Sequence, residues 1–379
     1  MNRKNLLTYL LTYLLTSLCL LAIAGYAYYR FTQRDTVSII LPAYNVEKYI
    51  DECVSYLTAQ SYKNLEIIAI DDDSTDSTYE ILKHWAQKDR RVKLFRNEKN
   101  QGTALTRERA LKEATGKYTM FVDSDDWISS SYISAMVRAA RKSGADAVFN
   151  NSVRIYNEWN KKEEDMWWYL SFPEGEVRLP ASCRHEQGYL WGKLFKTSFL
   201  KGIDISLPTP LRYHSDMYIS ALLKVHLPTI YVVTHPAYYY RIRPDSLQME
   251  VAKDMVRSMN MLQSEEMLLA YLKAHQLTDE ISIDVFQLAS RFIMPGTDPV
   301  VYYVALRKFF IENKEYLFLP IAEGDKGRGY LIHTNKFIQA VLDNENYTSF
   351  LENTTQEDRD IWFGGEQTRS YCSLMLKTH

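Results

Sequence analysis

The amino-acid sequence predicts an α/β protein: a mostly parallel sheet with helices on both faces. Three observations predict it. Short, almost wholly apolar runs alternate with amphipathic segments from residue 36 to about 150. Acidic and turn-forming residues gather just after several of those runs. Glycine and proline, 14 and 11 of 379 residues, are far too sparse for a disordered or collagenous chain. Strands that are apolar at every position belong to sheets covered on both faces, where ligands sit beyond the carboxyl ends of the strands.

The first element lies outside that alternation. Residues 6–29 carry no charge and as a helix would extend about 36 Å, which predicts a membrane span. Arg3 and Lys4 ahead of it and Ala22-Ile23-Ala24 within it leave a cleaved signal peptide as the rival. Tyr26, Tyr28 and Tyr29 at an interfacial depth, followed by Arg30 and Arg34, favour a retained anchor.

Val37–Leu41 then reads as a strand ended by Pro42, and Tyr49, Ile50, Cys53 and Leu57 recur at helical spacing. Leu65–Ile70 is a second strand. Its helix carries Ser77 and Glu80 as a possible capping box, with Tyr79, Leu82 and Trp85 on one face. Val92–Phe95 is a third strand. A helix from about Thr103 to Thr115, stopped by Gly116, leads to a fourth strand at Tyr118–Val122. A helix from about Ser130 to Ser143, stopped by Gly144, leads to Ala147–Phe149. Beyond about residue 250 the pattern turns helical, at Met255–Leu272, Ile281–Phe292 and Val301–Phe310. The organisation expected is a 1–35 anchor, a 36–250 α/β domain with halves 36–150 and 151–250, and a 251–379 helical region.

Charge and cysteine usage exclude several classes. With 45 lysines and arginines against 47 aspartates and glutamates, the net charge of −2 gives no reason to expect nucleic-acid binding. The 4 cysteines include no C-x-x-C pair, which argues against a disulfide scaffold or zinc ribbon. No glycine-rich phosphate loop follows the first strand, which argues against P-loop and dinucleotide-binding proteins. Asp71, Asp72 and Asp73 after the second strand, and Asp123, Asp125 and Asp126 after the fourth, place six carboxylates on one edge. Such clusters repel unless a cation or hydrogen-bond donors lie between them. An oxygen-rich set of this kind suits Mg²⁺ or Mn²⁺ bridging to a diphosphate.

Four blocks, Val37–Asn45, Ile70–Asp76, Asn100-Gln101-Gly102 and Phe121–Trp127, resemble the family-2 glycosyltransferases of the GT-A fold in order and spacing. The resemblance covers about residues 36–245. It implies inverting transfer of a sugar, of the hexosyl or N-acetylhexosaminyl class, from a UDP-sugar to an acceptor hydroxyl of a glycan or lipid-linked molecule in surface polysaccharide or glycolipid synthesis. Pro42, Ala43 and Tyr44 would shape the base site, with Tyr44 stacking on uracil and Asp72 accepting its imide hydrogen. Arg107 would approach the nucleotide. Asp123-Ser124-Asp125 matches the D-x-D motif: Asp125 is the main ligand of Mn²⁺ or Mg²⁺, with Asp123 nearer ribose and sugar. Trp191 and Lys193 resemble the segment that shapes the donor and acceptor pocket, and Asp216 falls at the general base. Arg241 or Arg243 pairs with the diphosphate. Since nucleotide sugars are mainly cytoplasmic in bacteria, the resemblance places the catalytic domain on the cytoplasmic side of an inner membrane, on a single-pass anchor.

The sequence departs from the family at three places. Asp73 stands where glycine is common, Ser215 replaces the glutamate before the base, and Thr106–Ala110 replaces the usual Ala-Arg-Asn-x-Gly. Asp73 and Glu108 add negative charge near a diphosphate site. Asp73 and Ser215 together leave a sugar-nucleotide-binding subunit without turnover as one alternative. A metal-dependent nucleotidyltransferase is another, but Pro42–Lys48 lacks its basic glycine-rich loop. His214, two residues from Asp216, does not share its helical face. Met166–Tyr169 reads as core or interface rather than a sugar platform.

Overall fold

The computed structural model describes residues 3–32, 35–166, 172–179, 188–207, 211, 213–243, 255–277, 285–294, 296–317 and 328–363. The N-terminal segment is one long helix, α1 (Arg3–Thr32). Its described side chains cover residues 12–26, a rise of about 22 Å against a hydrocarbon core of about 30 Å. That stretch is interrupted by Thr12, Tyr13, Thr16 and Ser17. Among the described residues no helix is long and apolar enough to cross a membrane. This corrects three expectations together: the span through residues 6–29, the membrane as a partner, and the single-pass inner-membrane placement.

The alternation follows as β1 (Val37–Ala43), α2 (Ile50–Thr58), β2 (Leu65–Asp71), α3 (Thr78–Lys88), β3 (Val92–Arg96), α4 (Thr103–Glu113) and β4 (Tyr118–Phe121). Every residue of β1 and β2 is buried, as their apolar runs require. β1 runs on through Pro42, which pairs with Ile70 of β2. The missing N–H is tolerated because β4 stops pairing with β1 at Ile40. The expected capping box at α3 does not form, since Ser77 makes no side-chain cap. Asp76 Oδ1 accepts the Thr78 N–H at 3.0 Å instead, and the Ser77 N–H turns to Glu47.

The second half adds β5 (Trp127–Ile128), α5 (Tyr132–Ser143), β6 (Ala147–Asn150), β7 (Val153–Asn157), β8 (Lys162–Asp165), β9 (Gly175–Arg178), β10 (Lys193–Lys196), α6 (Thr197–Lys201), α7 (Ser215–Val225), β11 (Thr229–Val233) and β12 (Tyr238–Ile242). Among the described residues the main sheet has eight strands in the order β3-β2-β1-β4-β10-β6-β11-β9, and a second sheet has four, β5-β12-β7-β8. The main sheet is mixed and, as expected, mostly parallel: six of its eight strands run one way, and β10 and β9 run against them. The β3-β2-β1-β4 half is parallel, but β10 inserts between β4 and β6 antiparallel to both. A strand arriving from some 70 residues downstream leaves no trace in local alternation.

The described residues after 250 form α8 (Met255–Ala274), α9 (Val285–Ser290), a 3-10 turn (Arg291–Ile293), α10 (Pro299–Glu312), α11 (Lys314–Leu317), α12 (Arg328–Asp343), α13 (Tyr347–Asn353) and α14 (Gln356–Phe363). The helical character expected after residue 250 is present. The start of α10 is set locally: Asp298 accepts the N–H groups of Val300 and Val301, with Pro299 in the first turn. Met261, Leu269, Tyr302, Phe309, Phe337 and Trp362 form an apolar core of this region. Met267, Leu268 and Leu272 of α8 pack instead with Ile219 and Leu222 of α7, and Met217 of α7 packs against the helical core, so α7 and α8 join the helices to the sheet layers.

Candidate active site

The carboxyl ends of β1, β2 and β4 meet at one edge, and the two acidic clusters are there as expected. At the end of β2, Asp71 is fully buried, and its Oδ2 accepts from the Ser74 N–H (3.2 Å) and pairs with Arg96 (3.1 Å). Asp72 accepts from Asn97 Nδ2 (2.6 Å) and the Gln101 N–H (3.0 Å) at one oxygen, and from the Gly102 N–H (2.9 Å) at the other. The buried Asp72 thus fastens the 100–102 turn from which α4 starts, and it keeps one unfilled acceptor direction of about four. Pro42 and Ala43 close β1 beside it, and Tyr44 is 45 % exposed at the rim.

Asp73 adopts a left-handed backbone, φ +64°, which accounts for the family's glycine there; aspartate is among the few other residues that tolerate it. Its carboxylate pairs with Arg96 at 3.4 Å, and Glu108 pairs with Lys112 at 2.8 Å. Both extra charges therefore have cations of their own. Gly102 also has positive φ, +85°, at the turn into α4.

That helix delivers Arg107, which is buried and donates to Asp123 Oδ1 at 2.6 Å. From β12's end Arg243 Nε donates to Asp125 Oδ2 at 2.6 Å. Arg241 Nε donates to the Asp125 carbonyl at 2.7 Å, and its guanidinium pairs with Glu52 and lies over the Trp127 ring. The two arginines that the sequence left as alternatives are thus divided: Arg243 meets the side chain of Asp125, whereas Arg241 holds its backbone. Burial, with Asp123 close by, pushes the Asp125 carboxyl up despite Arg243. Ser124 is buried between the two acids.

Sequence reasoning gave no role to Asp126, which is 1 % exposed, accepts from Tyr238 Oη (2.7 Å) and the Arg241 N–H (2.8 Å), and has its pKa driven well up by burial and then by Asp125 and Asp123. It ties the acidic loop to β12. The only sequence signal for it was the position of a third acid after the motif. Trp191 lies under the same loop, stacked between Tyr189 (4.6 Å) and Tyr238 (4.8 Å), and is core rather than pocket wall. Lys193 is fully buried and donates to the Tyr189 carbonyl; burial pulls its pKa well down.

Asp216 sits in the first turn of α7, where the helix dipole favours a carboxylate. Burial raises its pKa and outweighs the Arg107 charge and the Met217 N–H. Arg107 therefore acts on both Asp123 and Asp216, linking the D-x-D side of the edge to α7. Ser215 is buried at the helix start beside it. His214 Nδ1 contacts Met217 Sδ at 3.2 Å, and burial between arginines drives its pKa to about 3, so it is neutral and is no partner of Asp216. Met166 is in the core; Trp167, Trp168 and Tyr169 lie outside the described residues, as do Pro244, Asp245 and Ser246.

Among the described residues no three His, Cys, Asp or Glu side chains converge as a metal cage. Asp125 and Asp123 do offer one or two carboxylates on a loop, the donor set with which Mg²⁺-type ions bind when phosphate oxygens supply most of the rest. The residues fit a diphosphate-bridging cation and not an all-protein site.

The edge thus brings together, on a mixed α/β sheet, the acids of the 123–126 loop, two arginines and an acid at a helix start. Residues 38–198 match the model described as glycosyl transferase family 2. It is 28 % identical over 226 residues to Glycosyltransferase GlyA of Streptococcus pneumoniae, covering 56 % of this chain and 31 % of that one. It is 28 % identical over 218 residues to the poly(ribitol-phosphate) beta-N-acetylglucosaminyltransferase TarS of Staphylococcus aureus, covering 57 % and 37 %. The chain thus spans about a third of each of these relatives. The crystal structure of S. aureus TarS 1–349 in complex with UDP-GlcNAc superposes with TM-score 0.53 at 20 % identity, over 81 % of this chain and 90 % of that one, a likeness of fold.

Proposed function

We propose that this protein is an inverting glycosyltransferase that moves a sugar from a UDP-sugar to an acceptor hydroxyl in the synthesis of a cell-surface polysaccharide. One observation carries the reading: Arg107 and Arg243 hold Asp123 and Asp125 at 2.6 Å each at the carboxyl edge, with Asp216 at the start of α7 within the field of the same Arg107. The names of relatives agree with it, since TarS is a poly(ribitol-phosphate) N-acetylglucosaminyltransferase and its crystal structure holds UDP-GlcNAc.

In this reading Tyr44 and the β1 end, with Asp72 behind them, hold the uracil, and Asp123 and Arg107 hold the ribose and sugar side. Asp125 and Asp123 hold Mn²⁺ or Mg²⁺, which when bound offsets charge building on the departing diphosphate. Arg243, already at Asp125, adds a guanidinium to the same charge, and a planar fork suits phosphate oxygens. The acceptor oxygen attacks the anomeric carbon from the face opposite the diphosphate. The bond from that carbon to the diphosphate oxygen breaks, and UDP leaves with its electron pair. Asp216 takes the hydroxyl proton; its raised pKa makes it a stronger base than an exposed aspartate. Lys193 and Trp191 act from beneath, fixing the loop rather than touching sugar.

The test is UDP release by the full chain over a panel of UDP-sugars with Mn²⁺, Mg²⁺ or EDTA, beside Asp125→Ala. Cation-dependent release from one donor, lost in the variant, supports the reading. UDP binding without turnover of any donor supports a binding subunit instead, and failure to bind UDP sinks both.

A further inference from the structure

The helices after residue 250 send a cation toward the acceptor side of the site. Arg257 of α8 is half-buried, its Nε is buried with no hydrogen-bond partner, and it lies within the field of Asp216, Tyr213 and Tyr189. His214, just before α7, has a buried Nε2 that is also without a hydrogen-bond partner, and it feels both Arg257 and Arg291. The segment is held in place: the Tyr213 N–H donates to Asn260 Oδ1 of α8 at 3.2 Å, so Arg257 and His214 are carried by two tied elements.

Arg257 is not the counter-ion of Asp216, whose strongest cationic influence is Arg107. A guanidinium with a desolvated, unanswered N–H beside an acceptor site is costly unless an anion completes it. We propose that the acceptor is anionic, and that Arg257, with His214 Nε2 beside it, binds a phosphate or carboxylate of the acceptor next to the hydroxyl that Asp216 deprotonates. The proposal rests on the glycosyltransferase reading and deepens it. Arg257 then also offsets the repulsion between the acceptor's charge and the Asp216 carboxylate, which allows a base and an anionic substrate to share one pocket. An arginine is suited to either group because its fork matches both oxyanions.

The experiment titrates the full chain, preloaded with UDP, with glycerol 3-phosphate, glucuronate and neutral glycerol, reading heat and the His214 ring signals by NMR. Wild type binds one or both charged probes and not glycerol, with the His214 signals moving. Which charged probe binds tells phosphate from carboxylate. Arg257→Gln weakens that binding at least tenfold, about 1.4 kcal/mol, Arg257→Lys lies between, and UDP affinity stays unchanged in both, which also shows that the variants are folded. Equal affinity in Arg257→Gln, weakened UDP binding, or no charged probe bound by wild type overturns the proposal. Charged probes bound by a chain that binds no UDP would leave the anion site standing and remove the glycosyltransferase reading.

Discussion

Glu66 of β2 offers a stability prediction whose size follows from its surroundings. It is 5 % exposed and accepts five hydrogen bonds, from Ser38 Oγ (2.5 Å), Lys93 Nζ (2.6 Å), the Thr115 N–H (2.6 Å) and Oγ1 (2.8 Å), and the Gly116 N–H (2.9 Å). It thereby clamps β1, β2, β3 and the turn into β4 at the edge opposite the site. These donors depress its pKa from 4.5 to about 2, against the opposing effect of burial. A shift of that size corresponds to about 3 kcal/mol. Because the folded value lies below the unfolded one, this stability is complete above pH of about 5 and drains away as pH falls from about 4.5 toward 2. Glu66→Gln keeps the shape, removes the charge and turns an amide N–H₂ toward donors. Urea unfolding at pH 7 is expected to place the variant about 3 kcal/mol below wild type, or ~6–12 °C lower in Tm for a domain of this size. At pH 3 the gap shrinks to less than half. Equal midpoints at pH 7, or a gap unchanged at pH 3, would refute the reasoning.

Two further outcomes are expected. A Cβ at Gly116 would meet Ser38 Oγ and the Thr36 carbonyl oxygen at 2.7 Å, so Gly116→Ala should cost about 1–3 kcal/mol in urea unfolding, and a neutral effect would mean that the turn has room to spare. Since burial raises the Asp216 pKa and a base must be ionised, kcat/KM should fall with acid pH through a midpoint above the ordinary aspartate value, and a profile flat down to pH 4 would contradict that.

How much of this was legible in the sequence depends on whether the signal was local. The strands at Val37, Leu65, Val92 and Tyr118 showed as apolar runs because both faces are buried. The acidic loops showed because their residues are adjacent in sequence. The four-stranded sheet did not show: β8 is Lys-Glu-Glu-Asp with every residue exposed, and it pairs in register with β7 through partners that no periodicity marks. β10 is invisible for a different reason: it is largely buried, but its place between β4 and β6 is set by long-range pairing. The long apolar run at the N-terminus reads correctly as helix, yet apolarity alone overstated its reach as a span. The division of labour between Arg241 and Arg243, and the tie from Asp126 to Tyr238, depend on a register set by tertiary pairing and could only come from structure. Asp73 is the reverse case: a departure by residue type that the backbone explains at once, because φ +64° needs glycine or a residue that tolerates its region.

The central claim is that Asp216 is the base of a UDP-sugar transferase, and Asp216→Asn tests it most directly, with UDP affinity and UDP release from the preferred donor measured on the same preparation. The account predicts UDP binding within about twofold of wild type and turnover reduced by roughly 10²–10⁴-fold. Turnover retained within tenfold, with UDP binding intact, would contradict it.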